Sequence, residues 1–164
     1  MDAEQGELDR GITRVTGGLR DIRSTGVELR LPYYLGLLAD LSHRAGRGDE
    51  AGAAVAEALA VAQRNEEAWN DANLHALRGE FLGASTPGKD AEVEACLRQA
   101  IAVANAQGAR SLVLRASVSL ARLQAERGRR AEARDLLTPV YRGFTEGFGT
   151  PDLVKARALL EELG

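Results

Sequence analysis

Apolar residues fall into helical stripes along almost the whole chain. Leu31, Tyr34, Leu35, Leu38 and Leu41 recur at steps of three and four, and so do Val113, Ala116, Leu120 and Leu123. Leu74, Leu77 and Phe81 form a shorter stripe, with a register open by one residue. Each stripe ends at a glycine, Gly46, Gly88 or Gly128, and a second stripe begins just beyond it. The second stripes are Val55, Ala58, Leu59 and Ala62, then Leu97, Ala100, Ile101 and Ala104, then Leu137, Val140, Tyr141 and Phe144. Steps of 3, 1 and 3 place each set on one helical face. The pattern predicts three helix–turn–helix units related by offsets of 42 and 40 residues.

The same register runs backwards. Shifting the second unit by 82 residues pairs Leu97 with Val15, Ile101 with Leu19 and Ala104 with Ile22. Residues 5–26 therefore read as the second half of a repeat, either a piece of a longer solenoid or an N-terminal cap. In "TGG" at 16–18 the glycines read as close-packing positions. At the other end, Thr150 suits an N-cap, Pro151 the first helical position and Asp152 the positive helix end. Leu153, Ala156, Leu160 and Leu163 then give a capping helix its inner face. The divisions are a half repeat at 5–26, repeats at 27–66, 67–108 and 109–148, and a capping helix at 150–164. The fold class is all-α, a stack of about eight helices in antiparallel pairs.

Composition agrees with helices and removes several functions. The chain of 164 residues is 45% hydrophobic but 4% aromatic, so packing must use small and aliphatic side chains. A formal charge of -3 gives no general attraction to nucleic acid or to an anionic membrane. No apolar run approaches the roughly 18 residues that a membrane span needs, and the polar start "MDAEQGELDRG" is unlike a secretory signal. A cytoplasmic protein is expected. The single cysteine, Cys96, excludes an internal disulfide and reads as a small core filler. His43 and His75 lie 32 residues apart without an HExxH-type partner, so neither a metal nor any other cofactor is expected. No P-loop and no nucleophile elbow occurs. "RGD" at 47–49 is a turn of the first repeat rather than an adhesion signal. Trp69, at the opening of the second repeat, is expected to pack against the preceding helix. Pro139 should kink the last full helix.

The residues Ala51, Val55 and Ala58, and again Ala133, Leu137 and Val140, with the turns at Gly46, Gly88 and Gly128, resemble the tetratricopeptide (TPR) family. The period of 40–42 residues exceeds the usual 34 or so, and the closing proline is missing. The stretches "LPYYLGLLADLSHRAGR", "AWNDANLHALRGEFL", "CLRQAIAVANAQGARSLVLRASVSLARL" and "ARDLLTPVYRGFTEGFGTPDLVKARALLEEL" are similar to the C-terminal TPR regions of large bacterial signalling proteins. Those join an adenylate or guanylate cyclase domain, or a transcriptional regulator domain, to an AAA-type ATPase and then to such repeats. The resemblance implies a right-handed TPR-like α-solenoid and a non-catalytic interaction module.

In such repeats the first helices line a concave groove. The resemblance places Tyr33, Asp40 and His43 there from the first unit, Asn73 and Glu80 from the second, and Arg115, Ser119 and Arg122 from the third. The groove is expected to grade from mixed polarity to basic, with Arg115 and Arg122 able to hold a carboxylate or phosphate. The implied partner is a protein or peptide, or another domain of a parent chain. A small-molecule effector in a closed pocket is the alternative. Homodimerisation through an exposed apolar face at Val15, Leu19 and Ile22 is a third reading. "GRRAEA" at 128–133 reads as punctuation between helices, its basic pair not repeated in the other units.

Overall fold

A computed structural model describes residues 3–85 and 88–164. Thr86 and Pro87, within the long turn "GASTPGKD", and the first two residues of the N-terminal stretch lie outside the described residues. The described residues form eight α-helices and a single 3-10 turn at Ala68–Asn70, with no strand among them. The helices are α1 (Ala3–Ser24), α2 (Leu31–Arg44), α3 (Gly48–Arg64), α4 (Asp71–Ser85), α5 (Asp90–Ala106), α6 (Arg110–Glu126), α7 (Arg130–Arg142) and α8 (Pro151–Leu163). Helix α2 packs on α3, α4 on α5 and α6 on α7, and each pair stacks on the next through α3–α4 and α5–α6. Helix α1 closes one end against α2, and α8 closes the other against α6 and α7.

The apolar stripes become the core. Leu35, Leu74, Leu97, Leu120 and Leu137 are each at most 2% exposed. Alanines such as Ala39, Ala58, Ala100 and Ala133 are fully buried between helices. Small side chains let helices approach closely, and two glycines carry this furthest. A methyl group on Gly36 of α2 would meet the Leu74 side chain of α4 at 2.9 Å. One on Gly79 of α4 would meet Leu97 and Cys96 of α5 at 3.1 and 3.3 Å. These are the tight glycines. Gly17 and Gly18 have no neighbour within 4 Å and pack against nothing, because that side of α1 faces outward. Gly11 does touch Leu41. Cys96 is partly exposed rather than buried filler, since it flanks the buried row at Leu97.

The repeat turns work as the glycine pattern requires. Gly46 and Gly128 adopt left-handed backbone, with φ 75° and 78°, and let the next residue's N–H reach back to a carbonyl five residues earlier. The bonds are Arg47 N to Ser42 O and Arg129 N to Gln124 O, both 2.8 Å. The basic residue after each glycine, Arg47, Lys89 or Arg129, then occupies the N-cap of the second helix. A cation is unfavourable there, and in each case a glutamate three residues on answers it: Glu50, Glu92 and Glu132, at 3.4, 3.3 and 3.4 Å. Two of the three also reach the preceding second helix. Arg47 pairs with Asp9 at 2.8 Å and Arg129 with Glu94 at 2.7 Å. The first arginine of "GRRAEA" is thus a repeated inter-repeat tie. Arg129 and Arg98 together hold the Glu94 carboxyl below the usual carboxylate range through their hydrogen bonds.

Two terminal expectations change. Leu19 is 2% exposed within the core of α1 to α4, and Val15 and Ile22 pack against that core. The residues read as an open apolar face are therefore covered by the neighbouring pair. The exposed positions of α1, including Arg10, Arg14 and Arg20, are polar. Thr150 stands at the N-cap of α8 but makes no side-chain capping bond. Pro139 lies inside α7, which stops three residues later at Arg142, leaving Phe144 in the following turn.

Replacing Leu120 by Ala should cost about 2–5 kcal/mol, because a fully buried side chain between α5 and α6 leaves a cavity. A urea titration followed by circular dichroism measures it. His75 on α4 supplies a pH dependence. Burial is the main cause that holds its imidazole below the ordinary value of 6.5, and Asp71 one turn earlier offsets this in part. The proton then prefers the unfolded chain, so this contribution is present above pH 6.5 and declines as the pH falls toward the folded value. Asp71 is shifted up from 3.8 by burial, so its contribution has the opposite sign and acts in the acid range. His75→Gln should flatten the loss of the urea midpoint just below pH 6.5.

Candidate functional site

Helices α2, α4, α6 and α8 face one side of the stack and enclose a hollow of about 440 Å³. Six of the eight residues expected in the groove line it: Tyr33, Asp40, Asn73, Glu80, Arg115 and Ser119. The remaining two, His43 and Arg122, line an adjoining hollow of about 470 Å³. The two hollows share the lining residues Glu80, Val118, Ser119 and Lys155, so they adjoin along a groove of the first helices, the channel of this fold. Helical periodicity explains the alignment. The core stripes turn inward, and the residues half a turn away face the channel.

The channel is bonded internally. Ser119 donates its hydroxyl to Glu80 at 2.8 Å and so ties α6 to α4. Arg115 donates its Nε to Asp152 at 2.6 Å and so ties α6 to α8. Asp40 has only Arg44, one turn on, at 4.0 Å. His43 stacks on Phe81, with ring centroids 4.5 Å apart. The expected basic grip is therefore corrected. Arg115 pairs with Asp152, and Arg122 lines the neighbouring hollow rather than this one. Asp40, Glu80 and Asp152 face Arg115 and Lys155 in the first hollow, which leaves carboxylates in excess rather than cations.

The contribution of α8 is absent from the sequence expectation, which assigns the capping helix only an apolar inner face. Asp152 and Lys155 are three residues apart and flank the buried Leu153, a spacing that could have placed them on the groove edge. The sequence expectation also lacks the apolar floor, where Leu37, Leu112 and Val118 stand among the polar residues. Trp69 overturns its expectation. It sits in the 3-10 turn ahead of α4, half exposed, and its ring lies 5.6 Å from that of Tyr33.

Antiparallel helix pairs stacked in series, with alternate helices lining a shared channel, define an α-solenoid of TPR-like repeats. Two crystal structures of kinesin-light-chain nearly identical TPR-like repeats from Podosopora anserina share this architecture. One is a point variant with a TM-score of 0.74 over 98% of the chain and 78% of that structure. The other has a TM-score of 0.71 over 98% and 79%. Both are 18% identical, a likeness of fold. No family model matches the chain. An uncharacterized protein of Rhizobium meliloti (strain 1021) is 34% identical over 122 residues, or 74% of the chain, and the chain spans 12% of that relative's length. No helix among the described residues is long and apolar enough to cross a membrane.

The tie from α6 to α8 is testable. Asp152→Asn should change global stability by no more than about 1 kcal/mol, as for most exposed pairs. It should nonetheless speed amide hydrogen exchange along α8, read by mass spectrometry, while leaving α2 and α3 unchanged.

Proposed function

We propose that this chain is a non-catalytic binding module whose channel holds an extended segment of another protein, or of another domain of a longer parent protein. The observation that carries the reading is an open groove made of two adjoining hollows along the first helices. It crosses four helices from three successive pairs and the closing helix, and mixes an apolar floor with separated polar groups. A segment several residues long matches that shape better than a compact effector, which calls for an enclosed pocket with convergent polar groups. The division into a half repeat, three repeats and a capping helix belongs to this reading. So does a role in coupling partner binding to the output of a neighbouring domain, in line with the resemblance to cyclase-linked and regulator-linked repeats. The Rhizobium relative, of which the chain spans 12%, gives one setting in which such a segment is a small part of a much longer protein.

Panning a random nonapeptide display library against the protein tests the proposal. It should yield enriched sequences that compete with one another for a single site. Ala76→Phe, which fills the channel between Leu77 and Asn73 while keeping a helix-compatible residue, should abolish their binding without altering the far-UV circular dichroism. Failure to enrich any sequence, or undiminished binding to this variant, would overturn the reading.

A further inference from the structure

Seven large apolar side chains among the described residues are markedly exposed: Val27, Leu29, Tyr33, Leu37, Trp69, Phe148 and Val154. Five of these, all but Phe148 and Val154, lie in α2, in the loop leading into it, or in the turn leading into α4. Of these, Tyr33 and Leu37 line the first hollow, and Trp69 adjoins it through its ring contact with Tyr33. Trp69 is 50% exposed and Tyr33 42%, and their rings approach in a tilted pair at 5.6 Å. Exposed, rigidly held Trp and Tyr are the side chains that most often anchor a protein partner, since they offer a large apolar area with few torsions to freeze.

The rim is fixed by one carboxylate. Glu67 Oε1 accepts the indole N–H of Trp69 at 2.6 Å and the backbone N–H of Arg30 at 3.1 Å, and Oε2 accepts the latter at 3.2 Å. Both left-handed residues other than glycine among the described residues belong to this rim: Arg30 with φ 63° and Glu66 with φ 53°. The repeat offsets align Glu66 with Gly26 and Gly108, which take the same conformation without strain. The rim thus carries backbone strain that its counterparts avoid, a feature that clusters at binding sites.

Beyond the rim carboxylates outnumber cations, with Asp40, Glu80 and Asp152 facing Arg115 and Lys155. Asp40 follows Leu37 by one turn and has one remote cation neighbour, Arg44. Glu80 receives a neutral hydroxyl from Ser119. On the opposite wall Arg115 is engaged by Asp152. Tyr33 and Asp40 are separated by seven residues of helix, about 10 Å, which an extended chain spans in about three residues.

We propose that the Tyr33–Trp69 rim and the carboxylates of Asp40 and Glu80 form one recognition surface. Its occupant is an extended protein segment with a bulky apolar side chain about three residues from a lysine or arginine. The apolar side chain seats against Trp69, Tyr33 and Leu37, and the cation lies between the two carboxylates. The inference rests on the channel reading above and specifies its partner chemistry.

Trp69 is the only tryptophan of the chain and reports on the rim directly. Sequences enriched from the nonapeptide library should share a bulky apolar residue and a Lys or Arg at that spacing. Their synthetic peptides should shift Trp69 emission to the blue and protect it from acrylamide. Exchanging the peptide's basic residue for Glu, or using the Asp40→Asn, Glu80→Gln double variant, should weaken binding about tenfold or more, the loss expected for one charge-assisted contact. Trp69→Ala, on an exposed position, should weaken it similarly by fluorescence anisotropy of labelled peptide. Enriched peptides that lack the basic residue, or that leave Trp69 emission unmoved, overturn this inference and leave the channel reading standing. If no peptide of any charge binds, both fall.

Discussion

Everything in this molecule depends on how closely neighbouring helices approach. With 4% aromatic residues, the chain cannot fill wide gaps, so its helices must come together on alanine and glycine. Gly36 against Leu74 and Gly79 against Leu97 are the tightest glycine contacts with apolar side chains, and they sit on α2 and α4, the helices that line the channel. A methyl group at Gly36 would meet buried carbon at 2.9 Å, so the spacing of the first two channel helices is set by a missing side chain. That spacing in turn sets the width of the hollow and brings Tyr33 of α2 near the turn that carries Trp69.

The second dependence is electrostatic and more diffuse. A solenoid has no long-range contacts to hold distant repeats in line, so each junction must be secured locally. Here the cation after the repeat glycine does part of this work. Arg47 and Arg129 each bridge a glutamate on their own helix and a carboxylate on the second helix before it. Lys89 keeps only the local half of the pattern. The pairs are exposed and individually weak. Their value is directional: the bond to the helix's own glutamate orients the guanidinium, and the other bond ties it to the preceding second helix.

The fold was legible because period, turn and burial coincide. Buried leucines at 35, 74, 97, 120 and 137 fall on the stripes read from spacing alone, and Gly46 and Gly128 take the conformation that their place at the turn implies. The channel residues of α2, α4 and α6 come from the resemblance, which gives the first helices to the groove, together with their count back from the glycine turns. What was not legible depends on pairing between distant residues. Nothing in the spacing of Arg115 reveals that Asp152, 37 positions away, neutralises it. Likewise Val15, Leu19 and Ile22 look unpartnered only until α2 is laid across them. Gly17 and Gly18 show the converse, since a glycine pair in a helix can face outward, where no packing argument applies.

Trp69 marks the limit of repeat-based reading. Its place at the opening of the second repeat suggests an ordinary packing position against the preceding helix. The chain departs from its own average at the residues just before it. Where the first and third second-helix ends carry Gly26 and Gly108, this one carries Glu66, and Glu67 follows with its carboxylate turned back across the junction to Arg30 and Trp69. A glycine at position 66 would relieve the left-handed backbone, so the strain is a local cost without a local reason in packing. It coincides with a place where an aromatic pair, Tyr33 and Trp69, is held at the surface beside the channel. Repetition explains the scaffold of this protein, and the break in repetition is where its individual chemistry begins.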